Sequence, residues 1–137
     1  MKFHPIIAII TGLFVTYICI GFLALITGIV TSIDISARIP FGITNVVIGI
    51  TSFLIGGFVS TFLASKKKIK YGIYIWIIFM IINILGELYF KIRGLHPNQN
   101  YLIIIGTSIG YLLTVTIGSY LGKAADEHLK PAPDPNK

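Results

Sequence analysis

The sequence predicts an all-helical integral membrane fold, a four-helix bundle in lipid, and three observations predict it. Hydrophobic residues make up 55% of the 137 and charged residues only 12%, about half the charged share of an ordinary soluble domain. Four apolar runs, near Pro5–Thr31, Phe41–Ser65, Tyr71–Phe90 and Tyr101–Gly122, are each long enough to cross the roughly 30 Å of bilayer hydrocarbon. Nearly all the charge lies between or beyond these runs. A soluble chain of this composition would leave its surface largely apolar and aggregate. A membrane barrel does not fit, because the runs lack the apolar/polar alternation of barrel strands. Helices satisfy their own backbone polar groups, as lipid requires.

The first run carries no charge. It is longer than the apolar region of an ordinary signal peptide, and no A-x-A-like cleavage site follows, so it reads as a retained helix, tilted to fit the bilayer. Its Cys19 is the chain's one cysteine, which rules out an intrachain disulfide. Ser32 to Pro40 alternates Ile33, Ile35, Ala37 and Ile39 with Ser32, Asp34, Ser36 and Arg38, a period-two pattern that predicts an extended segment at the membrane interface. The second run ends on Lys66, Lys67, Lys68 and Lys70. Lys91 and Arg93 close the third, and Gly94 to Asn100, with Pro97 and two asparagines, forms a turn. Beyond the fourth run, residues 124–137 carry Pro131, Pro133 and Pro135 and too little apolar surface to fold, so a disordered polar tail is expected. The whole chain is one membrane domain.

Charge sets the expected orientation. With the N-terminus inside, Lys2, Lys66, Lys67, Lys68, Lys70, Lys123, Lys130 and Lys137 are inside and Arg38, Lys91 and Arg93 outside. The positive-inside rule therefore places both termini in the cytoplasm of a multi-pass cell-membrane protein. The lysine cluster would also touch anionic lipid head groups. A net charge of +6 would suggest nucleic acid in a soluble protein. Here no folded domain presents a basic face, and no nucleic-acid role is expected.

Small residues recur at intervals of four on two runs. The fourth carries Gly106, Gly110, Thr114, Gly118 and Gly122, and the second carries Ser52, Gly56, Ser60 and Ala64. Residues four apart share a helix face, and small side chains let helix backbones approach closely in lipid. A shift of 58 positions superposes Ser52, Gly56, Ser60 and Ala64 on Gly110, Thr114, Gly118 and Gly122. The fold is thus read as two tandem helical hairpins, a repeat of a kind found in transport folds. Common membrane composition accounts for the same match without duplication.

Glu87 is the one carboxylate inside an apolar run, with Asn83 one turn deeper on its face and Asn45 at similar depth on the second run. An intramembrane acid marks a candidate functional site that could carry a proton or bind a cation. Against that, Lys91 follows Glu87 at the spacing of a helical ion pair, and both side chains could reach the head groups. Tyr17 and Tyr111 fall near mid-membrane, where their hydroxyls need partners. His4, His96 and His128 have no metal-ligand spacing, so neither a metal nor a cofactor is expected, and no nucleophile–base pair suggests an enzyme.

The stretch GGFVSTFLASKKKIKYG, Gly56 to Gly72, with the short loops, resembles small four-helix membrane proteins of unknown function in archaea and bacteria. Those share a small-residue-rich helix ending in a short basic loop, and the resemblance implies no activity. Two functions are expected, the first leading and the second its alternative. One is a non-enzymatic interaction or assembly component, packing through its small-residue faces on a second copy or another membrane protein. The other is a small oligomeric channel or transporter using Glu87 and Asn83.

Overall fold

A computed structural model describes residues 3–33, 41–65, 69–94 and 101–129. They form four helices, α1 (Pro5–Ile33), α2 (Phe41–Leu63), α3 (Lys70–Ile92) and α4 (Tyr101–His128), each long and apolar enough to cross a membrane. The all-helical fold expected from the sequence is the one observed. The largest difference is at the end of α4, where the tail expected to be disordered from residue 124 is helical to His128. Ala124 and Ala125 are strong helix formers, Asp126 is buried, and Lys123 Nζ lies 3.9 Å from a Glu127 carboxylate oxygen one turn on. The rest of that tail, the extended segment expected beyond Ile33, and Lys66, Lys67 and Lys68 lie outside the described residues.

The core is built around α2, with 44% of its span buried against 17% for α1, 17% for α4 and 6% for α3. It packs on all three other helices, while α1 and α4 do not touch among the described residues. Small residues explain the central position. Gly12 and Gly56 cross backbone to backbone, and Thr16 lies where a Gly56 side chain would stand. On the other side of α2, a Cβ on Gly57 would strike the Val115 carbonyl, one on Gly118 the Leu54 carbonyl, and one on Gly122 the Phe58 carbonyl. Close approach of this kind supplies the dispersion contacts that hold helices together in lipid. One hydroxyl bond crosses between helices, Ser119 Oγ donating to the Gly57 carbonyl at 3.2 Å, while Thr16 and Ser60 donate within their own helices, to the Gly12 carbonyl at 2.9 Å and the Gly57 carbonyl at 3.0 Å.

Both hairpins use one contact. A Cβ on Gly12 of α1 would meet Ser60 and the Gly56 carbonyl of α2; one on Gly72 of α3 would meet Ser119 and the Val115 carbonyl of α4. In each pair a glycine of the leading helix faces a carbonyl and, one turn on, a serine of the following helix. The structural register, Gly12 to Gly72 and Ser60 to Ser119, runs at shifts of 60 and 59, slightly beyond the 58 read from the sequence.

The bundle is tight at one end and splayed at the other. Among the described residues α1 has none buried after Thr16 and α3 none after Ile75. At the tight end the N-terminus is tied down. The Phe3 N–H donates to the Leu63 carbonyl at 2.8 Å and the Ser65 N–H to the Phe3 carbonyl at 2.9 Å, which occupies a carbonyl that the end of α2 would otherwise leave open. Ala8, Ala64 and Tyr71 pack beneath this clasp. At the splayed end α3 stops at Gly94, whose φ of +73° suits glycine, with the Gly94 N–H on the Lys91 carbonyl at 3.1 Å.

Candidate functional site

The splay opens a cleft of about 300 Å³ between the C-terminal half of α3 and the N-terminal half of α4. Phe79, Met80, Asn83, Ile84 and Glu87 form one wall and Ile104, Thr107, Ser108 and Tyr111 the other. The α3 residues recur every three or four positions, the spacing of one helix face. Side-chain size explains why the cleft lies here. The two helices meet at Gly72 and Ser119, but further out Trp76, Phe79, Met80 and Tyr111 occupy the facing positions and prop them apart.

The hydrogen bonds of the cleft are made mostly within its own walls. Trp76 Nε1 donates across to the Ser108 carbonyl at 3.0 Å, and Ser108 Oγ back to Met80 Sδ at 3.2 Å. Asn83 Nδ2 donates to the Phe79 carbonyl at 2.8 Å and Thr107 Oγ1 to the Ile104 carbonyl at 3.0 Å. Tyr111 Oη reaches the Asn45 carbonyl at 3.4 Å. The tyrosine ring lies where Gly49 has no side chain and stacks on Phe53 at 5.0 Å between centroids. Phe53 meets Phe79 edge-on at 4.8 Å, and Phe79 leans on Tyr17 at 5.6 Å. This aromatic layer floors the cleft, and the glycine contacts of the tight end lie beyond it.

Glu87 is half-buried and forms no hydrogen bond or ion pair among the described residues. The pairing with Lys91 that the helical spacing suggests is not made, and Lys91 is exposed. Glu87 and Asn83 thus share the cleft as their spacing implies, whereas Asn45 does not line it. Its side chain is exposed, and its backbone carbonyl alone reaches Tyr111.

The small residues divide into two groups. Ser52, Gly56, Ser60, Ala64, Thr114, Gly118 and Gly122 are buried inside the bundle, and Thr114 Oγ1 bonds the Gly110 carbonyl. An added Cβ on Gly106 or Gly110 would meet nothing within 4 Å. Lys70 is exposed at the start of α3, its Nζ 5.8 Å from the Tyr74 ring centroid, as expected at head-group level. No group of three His, Cys, Asp or Glu side chains gathers among the described residues.

Thr107 and Ser108 belong to the site and were not picked out from the sequence, although a signal was present. Glu87 and Thr107 stand equally far in sequence from Pro97, midway between α3 and α4, and an antiparallel hairpin brings such positions to equal depth. Gly12, Gly49, Gly57 and Gly72 were also missed as packing residues, being outside the four-residue pattern. Comparison with known protein families, curated proteins and solved structures finds no match for this chain.

Proposed function

We propose that the chain is a non-enzymatic, multi-pass protein of the cell membrane, both termini cytoplasmic, that holds a small solute in the α3–α4 cleft and acts as a carrier or channel component. One observation carries this reading: an intramembrane carboxylate without a partner among the described residues, facing a cleft with polar groups on both walls. Ionisable groups are costly in a bilayer and are mostly found where they pair or serve a pathway. The aromatic layer beneath the cleft supports a carrier over a pore within a single chain. The lysine distribution supports the orientation.

The assembly reading keeps one observation in its favour, the open positions at Gly106 and Gly110, where a neighbouring helix could approach closely. The other small residues are occupied within the chain. Proteoliposome flux across cationic, neutral and anionic solutes tests the proposal. At least one flux should appear and be lost in Glu87→Gln at equal protein incorporation. Absence of any Glu87-dependent flux, together with recovery of a stable homo-oligomer or partner from mild detergent, would favour assembly.

A further inference from the structure

We infer that the cleft takes an amphipathic primary amine, its ammonium on Glu87 and its apolar body between Phe79, Ile84 and Ile104. This rests on the reading of the cleft as a solute site. Charge argues against the opposite class, since the described residues of the cleft walls include a carboxylate and no cation. A neutral solute would leave Glu87 without the charged partner it lacks among the described residues. A bare divalent cation such as calcium takes about six to eight oxygen ligands, and much of the cleft wall is hydrocarbon and aromatic.

Hydrogen bonding narrows the class further. Asn83 directs an amide N–H at the Phe79 carbonyl, Ser108 its hydroxyl proton at Met80 Sδ, and Tyr111 its own towards the Asn45 carbonyl. Apart from the second amide proton of Asn83, these protons are turned into the walls, which leaves oxygen lone pairs beside the carboxylate. Such a site is matched by a ligand that brings both positive charge and N–H donors, and an ammonium group carries three donors. A volume of about 300 Å³ lies at the small end of small-molecule sites, which suits a compact amine with one ring or a short alkyl body.

The chain provides its own reporter. Trp76 is the one tryptophan, and its indole N–H bonds the carbonyl of Ser108 in the cleft wall. The full chain in nanodiscs would be titrated with benzylamine, benzyltrimethylammonium, benzyl alcohol, benzoate and sodium ion, following Trp76 emission. Benzylamine is expected to give a saturable change, weakened roughly 10- to 100-fold in Glu87→Gln, the scale of one charged hydrogen bond, and largely kept in Glu87→Asp. Benzyltrimethylammonium, which has the charge without N–H donors, should bind more weakly, and benzyl alcohol and benzoate should not saturate. Should Glu87→Gln lose monodispersity, Asn83→Ala, also expected to weaken benzylamine, carries the test. Equal titrations for benzylamine and benzyl alcohol, equal affinity for benzyltrimethylammonium, or an unchanged Glu87→Gln would overturn the assignment. A Glu87-dependent response to benzoate or sodium instead would overturn the amine while keeping the solute site. No saturable response to any probe would remove both.

Discussion

At the residue scale, one sequence feature splits into two structural roles. Gly106, Gly110, Gly118 and Gly122 share a spacing of four, yet a helix has 3.6 residues per turn, so each step of four advances about 40° around the axis. From Gly106 to Gly122 the line of small residues turns through roughly 160°, and one stretch of it can face α2. Gly118 and Gly122 are that stretch; Gly106 and Gly110 have turned away. Gly118→Ala should therefore force α4 off the Leu54 carbonyl and destabilise the protein by about 1–3 kcal/mol, the usual cost of overpacking. Gly110→Ala should change stability by less than about 0.5 kcal/mol. Reversible unfolding in detergent micelles, followed by helicity, checks the pair; equal effects would mean that α2 and α4 do not meet as described.

At the element scale, the number and order of the helices, and the minimum length of each, were legible in the sequence, because a hydrocarbon slab sets the shortest run that can cross it; the extension of α4 to His128 was not. Which helix lies at the centre was less legible. The four-residue pattern singled out the second and fourth helices, and these do pack together, but the glycines that receive α1 and α3, Gly12 and Gly72, stand alone in sequence and become visible when the partner helix is in place. The cleft was half legible for a related reason: spacing along one helix joined Asn83 to Glu87, while Thr107 and Ser108 come from the next helix. Burial sets the order of stability among the elements. The buried residues of α3 are Tyr71, Gly72 and Ile75, all near its start, while α2 buries residues from Ile48 to Thr61, and segments with few buried contacts open first. Amide exchange in nanodiscs should be fastest in the outer half of α3, from Met80 to Ile92, and slowest in α2 from Ser52 to Thr61. Faster exchange in α2 than in α3 would contradict a bundle centred on α2.

At the scale of the whole molecule, the decisive property is asymmetry along the membrane normal. Glycine crossings and hydroxyl bonds seal one end through Gly57, Ser119 and Gly118, and bulky residues hold the other end apart around the cleft. A molecule closed at one end should be reached by aqueous reagents from one side. With Cys19 replaced by serine, single cysteines can be placed at Asn83 or Thr107 on the cleft walls, at the buried Ser119, and at the exposed Ser65 beside the N-terminal clasp. Sealed, right-side-out vesicles and a membrane-impermeant maleimide then read the access. Asn83→Cys and Thr107→Cys should label from outside, Ser65→Cys after permeabilisation, and Ser119→Cys from neither side. Outside labelling of Ser65→Cys would invert the orientation argued from the lysines while leaving the fold intact. Labelling of Ser119→Cys as fast as Thr107→Cys would show water passing the aromatic floor of Phe53, Phe79 and Tyr111, which a pore permits and a one-sided carrier does not.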